Sequence, residues 1–223
     1  MLRPEDFFDL ATFAHRDLFA GVRYVWEALP RLPDYLAGLG APQVAGQVEV
    51  GAVLTGPVWL GEGSVVEAGV KICGPVVVGR GCQLRAGAYL RGPVVVGDEA
   101  IVGHATELKG AILLDGASAP HFNYVGDSIL GPRSHLGAGA ICSNVRLDRE
   151  RVAVWAGGRK YDTGLAKLGA ILGEDVQAGC HAVLNPGTLL GPGVVVLPGA
   201  SVVGYFPCGV AGASPAALQR GTG

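Results

Sequence analysis

The segment His121-Phe122-Asn123-Tyr124-Val125-Gly126-Asp127 sets an imidazole three residues ahead of a phenol. An imidazole is the side chain best suited to take up a proton near neutral pH, a service worth roughly 10²–10⁴ in rate. A lone histidine is more often structural, so its neighbours decide. Tyr124 adds a hydroxyl, and Asn144, at the head of a polar stretch, adds an amide; together they suit the orientation of a sugar. Two cations stand upstream, Arg91 and Lys109, each directly after an aliphatic residue (Leu90, Leu108) and 18 residues apart. His104, His135 and His181 are further nitrogen donors, which makes zinc the rival reading of the histidines.

Such side chains need a frame. An aliphatic residue recurs at every sixth position: Leu60, Val66, Ile72, Val78, Leu84, Leu90, Val96, Val102, Leu108, Leu114. A helix repeats at 3.6 residues and a strand at 2, so each hexad reads as a short strand plus a corner. The chain then winds into a prism, with aliphatic side chains stacked inside and each coil hydrogen-bonded to the next. Between Leu114 and Leu130 the spacing is 16, not a multiple of six, and His121 lies within that interval; the break is read as the active site. Leu130 and Leu136 resume the ladder, which disappears again from about 143 to 167. There, alternation on either side of Gly157-Gly158 predicts a hairpin thrown out from the prism. An excursion this long in a compact repeat usually has a job. Leu172, Ala178, Leu184, Leu190, Val196 and Val202 carry the repeat onward.

This pattern resembles the hexapeptide-repeat proteins, and the resemblance implies an all-β, left-handed parallel β-helix with 18 residues per coil. On such a coil Arg91 and Lys109 stand one above the other, about 4.8 Å apart. Like charges so close repel unless an anion neutralises them, which favours a phosphate; the alternative is a solvated pair beside Glu99 or Glu107. Gamma-class carbonic anhydrases share the fold and place two zinc-binding histidines five residues apart. No histidine pair here has that spacing, so no metal is expected.

The resemblance sharpens at Thr106-Glu107-Leu108-Lys109, at His121 to Asp127 and at Gly137-Ala138-Gly139-Ala140-Ile141-Cys142-Ser143-Asn144. These resemble the C-terminal acetyltransferase half of the bifunctional sugar-1-phosphate nucleotidyltransferase/amino-sugar-phosphate acetyltransferases, and the likeness runs over about 58–205. It implies His121 as catalytic base and Arg91, Lys109 and Glu107 around the phosphate and sugar. It further implies Tyr124, His135 and Asn144 as acceptor ligands, and Ala138 and Cys180 along the acyl-CoA groove. His135 stands where the best-known bacterial members have Asn, and Glu150 where they have Lys, with Arg149 and Arg151 beside it. No Gly-x-Gly-Thr-Arg loop occurs, so nucleotidyl transfer is not expected of this chain; a separate nucleotidyltransferase is an expected partner.

The 223 residues are 49% hydrophobic with a formal net charge of -2, enough for a sizeable core and no global attraction to nucleic acid or acidic membranes. Five scattered cysteines without CxxC encode neither a disulfide framework nor a zinc knuckle, which points to a reducing cytoplasm. Cys82 occupies a small-residue position of its hexad and reads as packing. Early Glu5, Asp6 and Asp9 do not suit a signal peptide. Residues 1–43 form an aromatic-rich segment with helices expected near 4–13, near 16–29 and after Pro33. Its apolar faces need the side of the prism, a neighbouring subunit, or the open first coil. The β-helix is expected over 44–205 and a loosely ordered tail over 206–223.

The activity implied is transfer of acetyl from acetyl-CoA to the amine of glucosamine-1-phosphate or galactosamine-1-phosphate, in a homotrimer. A non-catalytic sugar-phosphate-binding or trimerisation module and an acyltransferase with a longer donor are the alternatives.

Overall fold

The computed structural model describes residues 2–212. Short strands of two to four residues follow the chain around a three-sided prism and form parallel sheets of nine, eight and eight strands. The result is a left-handed parallel β-helix of about nine turns. The first face holds Gln47–Val48, Ile101–His104, Ser118–His121 and His135–Leu136. The second holds Tyr89–Arg91, Glu107–Lys109, Tyr124–Gly126 and Ile141–Cys142. The third holds Val94–Val96, Ile112–Leu113, Ile129–Leu130 and Ala170–Leu172.

The six-residue ladder is the inner wall. Leu60 through Leu108 are each at most 2% exposed, in one column-filled core. The last rung differs from expectation. Val96 pairs with Leu113, so Leu113 enters the prism while Leu114 faces outward into a second cluster. The register loss is therefore two five-residue steps, Leu108 to Leu113 and Val125 to Leu130, which make consecutive coils of 17 residues. Both fall at the corner between the second and third faces, where Gly110-Ala111 and Asp127-Ser128 do with one residue fewer what Gly92-Pro93-Val94 does above them. His121's own hexad, Ala119 to Val125, is full length. The break flanks His121 and does not contain it.

The long excursion leaves from that same corner, between Cys142 and Ala170. Its antiparallel pair Ala153–Ala156 and Arg159–Asp162 is closed by Gly157 and Gly158, both at positive φ as a two-residue hairpin turn demands. Val152 and Val154 fold back against the third face, so only part of the hairpin stands clear.

The N-terminal segment lies along the third face. Its Phe7, Phe8, Phe13, Leu18, Phe19 and Trp26 pack over the outward Val77, Val95, Ile112, Ile129, Ile171 and Leu189. The two long helices expected there are absent. The segment forms 3₁₀ turns at Pro4–Asp6, Arg16–Phe19 and Val25–Arg31 and one α-helix, Leu32–Ala37. A helix offers a stripe about 100° wide, whereas anchors at 7, 8, 13, 18, 19, 25 and 26 must all meet one flat sheet, which an irregular path allows. Of the expected tail, Phe206, in the strand Tyr205–Phe206, and Val210–Ala211 instead continue the prism; 213–223 lie outside the described residues.

Candidate active site

The corner between the first and second faces is built on buried polar side chains. Asn123, 2% exposed, donates from Nδ2 to the carbonyls of Gly137 (2.8 Å) and Ala140 (3.1 Å) and accepts the His121 amide at 3.1 Å. Thr106 donates to Ala119 O at 3.1 Å. With the turn thus pinned, Phe122 takes φ 52° and stands exposed, its ring edge-on to His104 at 5.3 Å, and the His121 imidazole points outward. Among the described residues no hydrogen bond ties up that imidazole. His135 lies near enough that the His121 charge, after burial, helps hold its pKa below the ordinary histidine value.

The same corner carries the positions assigned to the acyl donor. His104 and His121 are register partners, and the next two coils bring Ala138 and Cys180 into line, because Gly139 N bonds His121 O (3.0 Å) and His181 N bonds Ala138 O (2.9 Å). His121, Ala138 and Cys180 thus form one edge column, with Cys180 exposed. Cys82 and Cys142 are interior; burial pushes their thiols up to about 11 and about 12, which leaves them as packing groups.

The second face carries the acceptor candidates. Lys109 is the register partner of Arg91, as the 18-residue coil requires. The anion beside each is already in the chain. Arg91 Nη2 meets Glu107 Oε1 at 2.7 Å, and Lys109 Nζ meets both oxygens of Asp127 at 2.8 Å. Stacking alone therefore does not require a phosphate, and Glu107 rather than Glu99 is the neighbour. Arg91 Nε is buried without a partner, a cost of about 1–3 kcal/mol that a ligand acceptor could relieve.

Asp127, outside the residues singled out from the sequence, links the group. Its carboxylate also accepts Asn144 Nδ2, and the Tyr124 hydroxyl lies beside the same amide over Gly126. Burial, then the charges of Glu107 and Asp127, raise the Tyr124 pKa, so its proton is retained for donation. Gly126 makes this meeting sterically feasible: a Cβ there would lie 2.6 Å from Tyr124 Cε1 and 2.7 Å from Asn144 Nδ2. Gly110, at φ 59°, plays the same part for Asp127, whose Oδ1 would be 2.7 Å from a Cβ. Chemical class and spacing could have suggested Asp127, which follows Lys109 by the same 18 residues that separate Lys109 from Arg91; the 17-residue coil pairs Lys109 with Gly126 instead, and Asp127 reaches the ammonium from the next position.

Glu150 and its flanking Arg151 do not approach Lys109. They line a separate cleft with Arg146 and Lys160 along the hairpin. The cation that the excursion brings to the cluster is Lys167, which shares a cleft with Lys109 and Asp127. Among the described residues no group of three or more His, Cys, Asp or Glu is arranged to hold a metal ion, and no helix is long and apolar enough to cross a membrane.

One face thus joins a histidine-headed edge column to Tyr124 and a hydrogen-bonded chain, Asn144–Asp127–Lys109, running to its other edge. The GMPPB C-terminal domain model matches residues 72–192, a little over half of the chain. The bifunctional protein GlmU of Methanococcus vannielii is 35% identical over 171 residues, 77% of this chain and 41% of that protein. A bifunctional sugar-1-phosphate nucleotidylyltransferase/acetyltransferase of Sulfurisphaera tokodaii is 36% identical over 107 residues, 47% of this chain and 27% of that protein. The chain therefore spans well under half the length of these curated relatives. Among solved structures, a Francisella novicida UDP-N-acetylglucosamine acyltransferase superposes with a TM-score of 0.40 at 13% identity, covering 74% of this chain and 61% of that one. The chain belongs to the GMPPB C-terminal domain family, and its β-helix resembles the acetyltransferase-like C-terminal domain of GlmU-type bifunctional proteins.

Proposed function

We propose that the chain is an acyl-CoA-dependent N-acetyltransferase that acts on a hexosamine phosphate such as glucosamine-1-phosphate or galactosamine-1-phosphate. The observation that carries the reading is the placement of His121 at the head of the Ala138–Cys180 column, one corner away from Tyr124 and the cation chain. The thioester lies along the column and the sugar along the second face. The acceptor amine must be neutral to attack. His121, exposed and free of side-chain hydrogen bonds, takes the proton as the amine nitrogen bonds to the carbonyl carbon; the tetrahedral adduct then collapses, the C–S bond breaks and CoA leaves as the thiol. Tyr124 and Asn144 orient the ring. Binding of phosphate exchanges one anion for another: the ligand takes over contacts that Glu107 and Asp127 make to Arg91 and Lys109. A homotrimer that sets a second protomer against this face, and a separate nucleotidyltransferase, complete the proposal.

The test is release of free CoA from acetyl-CoA with either amino-sugar phosphate. His121→Ala lowers turnover by roughly 10²–10⁴ without unfolding an exposed corner; turnover that survives the substitution removes His121 from its role. The resident ion pairs favour a second reading, a binding module whose site is already electrically satisfied. Micromolar sugar-phosphate binding without any CoA release would select it.

A further inference from the structure

The N-terminal segment does more than cover the third face. Leu29, Pro30 and Pro33 help line a cleft of about 210 Å³ together with Lys109, Asp127 and Lys167, and with the apolar Pro93 and Leu165. The prolines are exposed, while Trp26, Leu29, Leu32 and Leu36 beside them are buried, and Arg31 Nη1 donates to Ala20 O at 2.6 Å, so the wall is held firmly against the prism. Proline offers a rigid apolar surface with no N–H to leave unpaired. The same cleft carries two cations and one carboxylate. Apolar surface and paired cations in one slot suit a pyranose packed on its C–H face with an anionic group toward the lysines. Its volume is below the roughly 300–1,000 Å³ of pockets that enclose drug-sized ligands, so a nucleotide-linked sugar would have to extend beyond it. The segment also lies wholly outside residues 72–192, so this wall is added to the family's matched fold.

We propose that Pro30 and Pro33 are specificity-determining residues, closing the acceptor subsite to the size of one phosphorylated sugar. The inference rests on the acceptor reading above and names what limits its substrate. Two variants of the full chain test it. Pro33→Trp, which fills the slot, raises KM for glucosamine-1-phosphate at least tenfold, with kcat within twofold and KM for acetyl-CoA unchanged. The pair Pro30→Ala/Pro33→Ala opens the slot and raises the kcat/KM ratio of UDP-glucosamine to glucosamine-1-phosphate at least fivefold; it decides the matter if the Trp variant does not fold. Wild-type transfer with both variants unchanged in these ratios overturns the wall and leaves the transferase reading intact. No CoA release from wild type with any hexosamine phosphate overturns the transferase reading, and the wall is then judged by the calorimetric Kd of the same two compounds across the variants. Tighter wild-type binding of UDP-glucosamine than of glucosamine-1-phosphate overturns the size limit.

Discussion

The two ion pairs on the second face look alike on paper and differ in consequence. Lys109 and Asp127 are 25% and 18% exposed, whereas Arg91 and Glu107 are 44% and 33% exposed. Asp127→Ala takes from a half-sheltered ammonium both of its 2.8 Å contacts and from Asn144, itself 7% exposed, the acceptor of its amide. Each hydrogen bond to a charged group is worth about 1.5–3 kcal/mol net; because Lys109 can still swing toward water, the expected loss is roughly 2–4 kcal/mol in all. For a chain of this size that lowers the thermal midpoint by roughly 5–15 °C. Glu107→Ala breaks a more exposed pair and is expected to cost about 0–1 kcal/mol. Differential scanning calorimetry of the two variants separates them. Equal midpoints for the two variants, or an Asp127→Ala protein within about 2 °C of wild type, would refute the claim that Asp127 is the hub of the cluster.

Other outcomes follow from the same geometry. Gly126→Ala inserts a methyl against Tyr124 and Asn144; since both contacts are side-chain ends, the midpoint moves by only about 1 kcal/mol equivalent while acceptor KM rises severalfold in steady-state assays. Leu113→Ala and Leu114→Ala each cost about 2–5 kcal/mol, but only Leu114→Ala exposes the N-terminal segment to limited proteolysis under native conditions, because Leu114 packs beneath it. His15 and His135 both have pKa values held below the ordinary one by burial, opposed at His15 by Asp98 and Asp115. A base harder to protonate when folded binds more protons when unfolded, so stability is complete above the ordinary histidine pKa of about 6.5 and falls as pH drops through it. Urea titrations between pH 7.5 and 5 are expected to show that slope, and His15→Gln to flatten it.

Much of this architecture was legible in the chain. A six-residue period has no other reading than a coiled prism, and residues from Leu60 to Leu108 and from Leu172 to Val202 point inward as the ladder requires. Leu114 misled because two adjacent leucines satisfy both a six- and a five-residue step; only hydrogen-bonded partners tell Leu113 from Leu114. The N-terminal segment escaped because its anchors follow no period, being selected by a flat partner surface rather than by a helix of its own. At the site, His121, Tyr124, Asn144, Arg91 and Lys109 were visible by type and spacing. The same 18-residue spacing reaches Asp127, whereas Lys167 was not visible, since it depends on a hairpin that returns to its point of departure. The phosphate argument was set against a carboxylate neighbour, Glu99 or Glu107; the chain supplies Glu107 and, beside Lys109, Asp127 as well.

The shortened corners have a structural yield of their own. Concave sites are commonly made by adding loops, yet Gly110 and Asp127 line the cleft at the places where the coil has lost a residue. The floor of the hollow is a notch along one edge of an otherwise monotonous column, and the N-terminal segment and the excursion wall it in through Pro33 and Lys167.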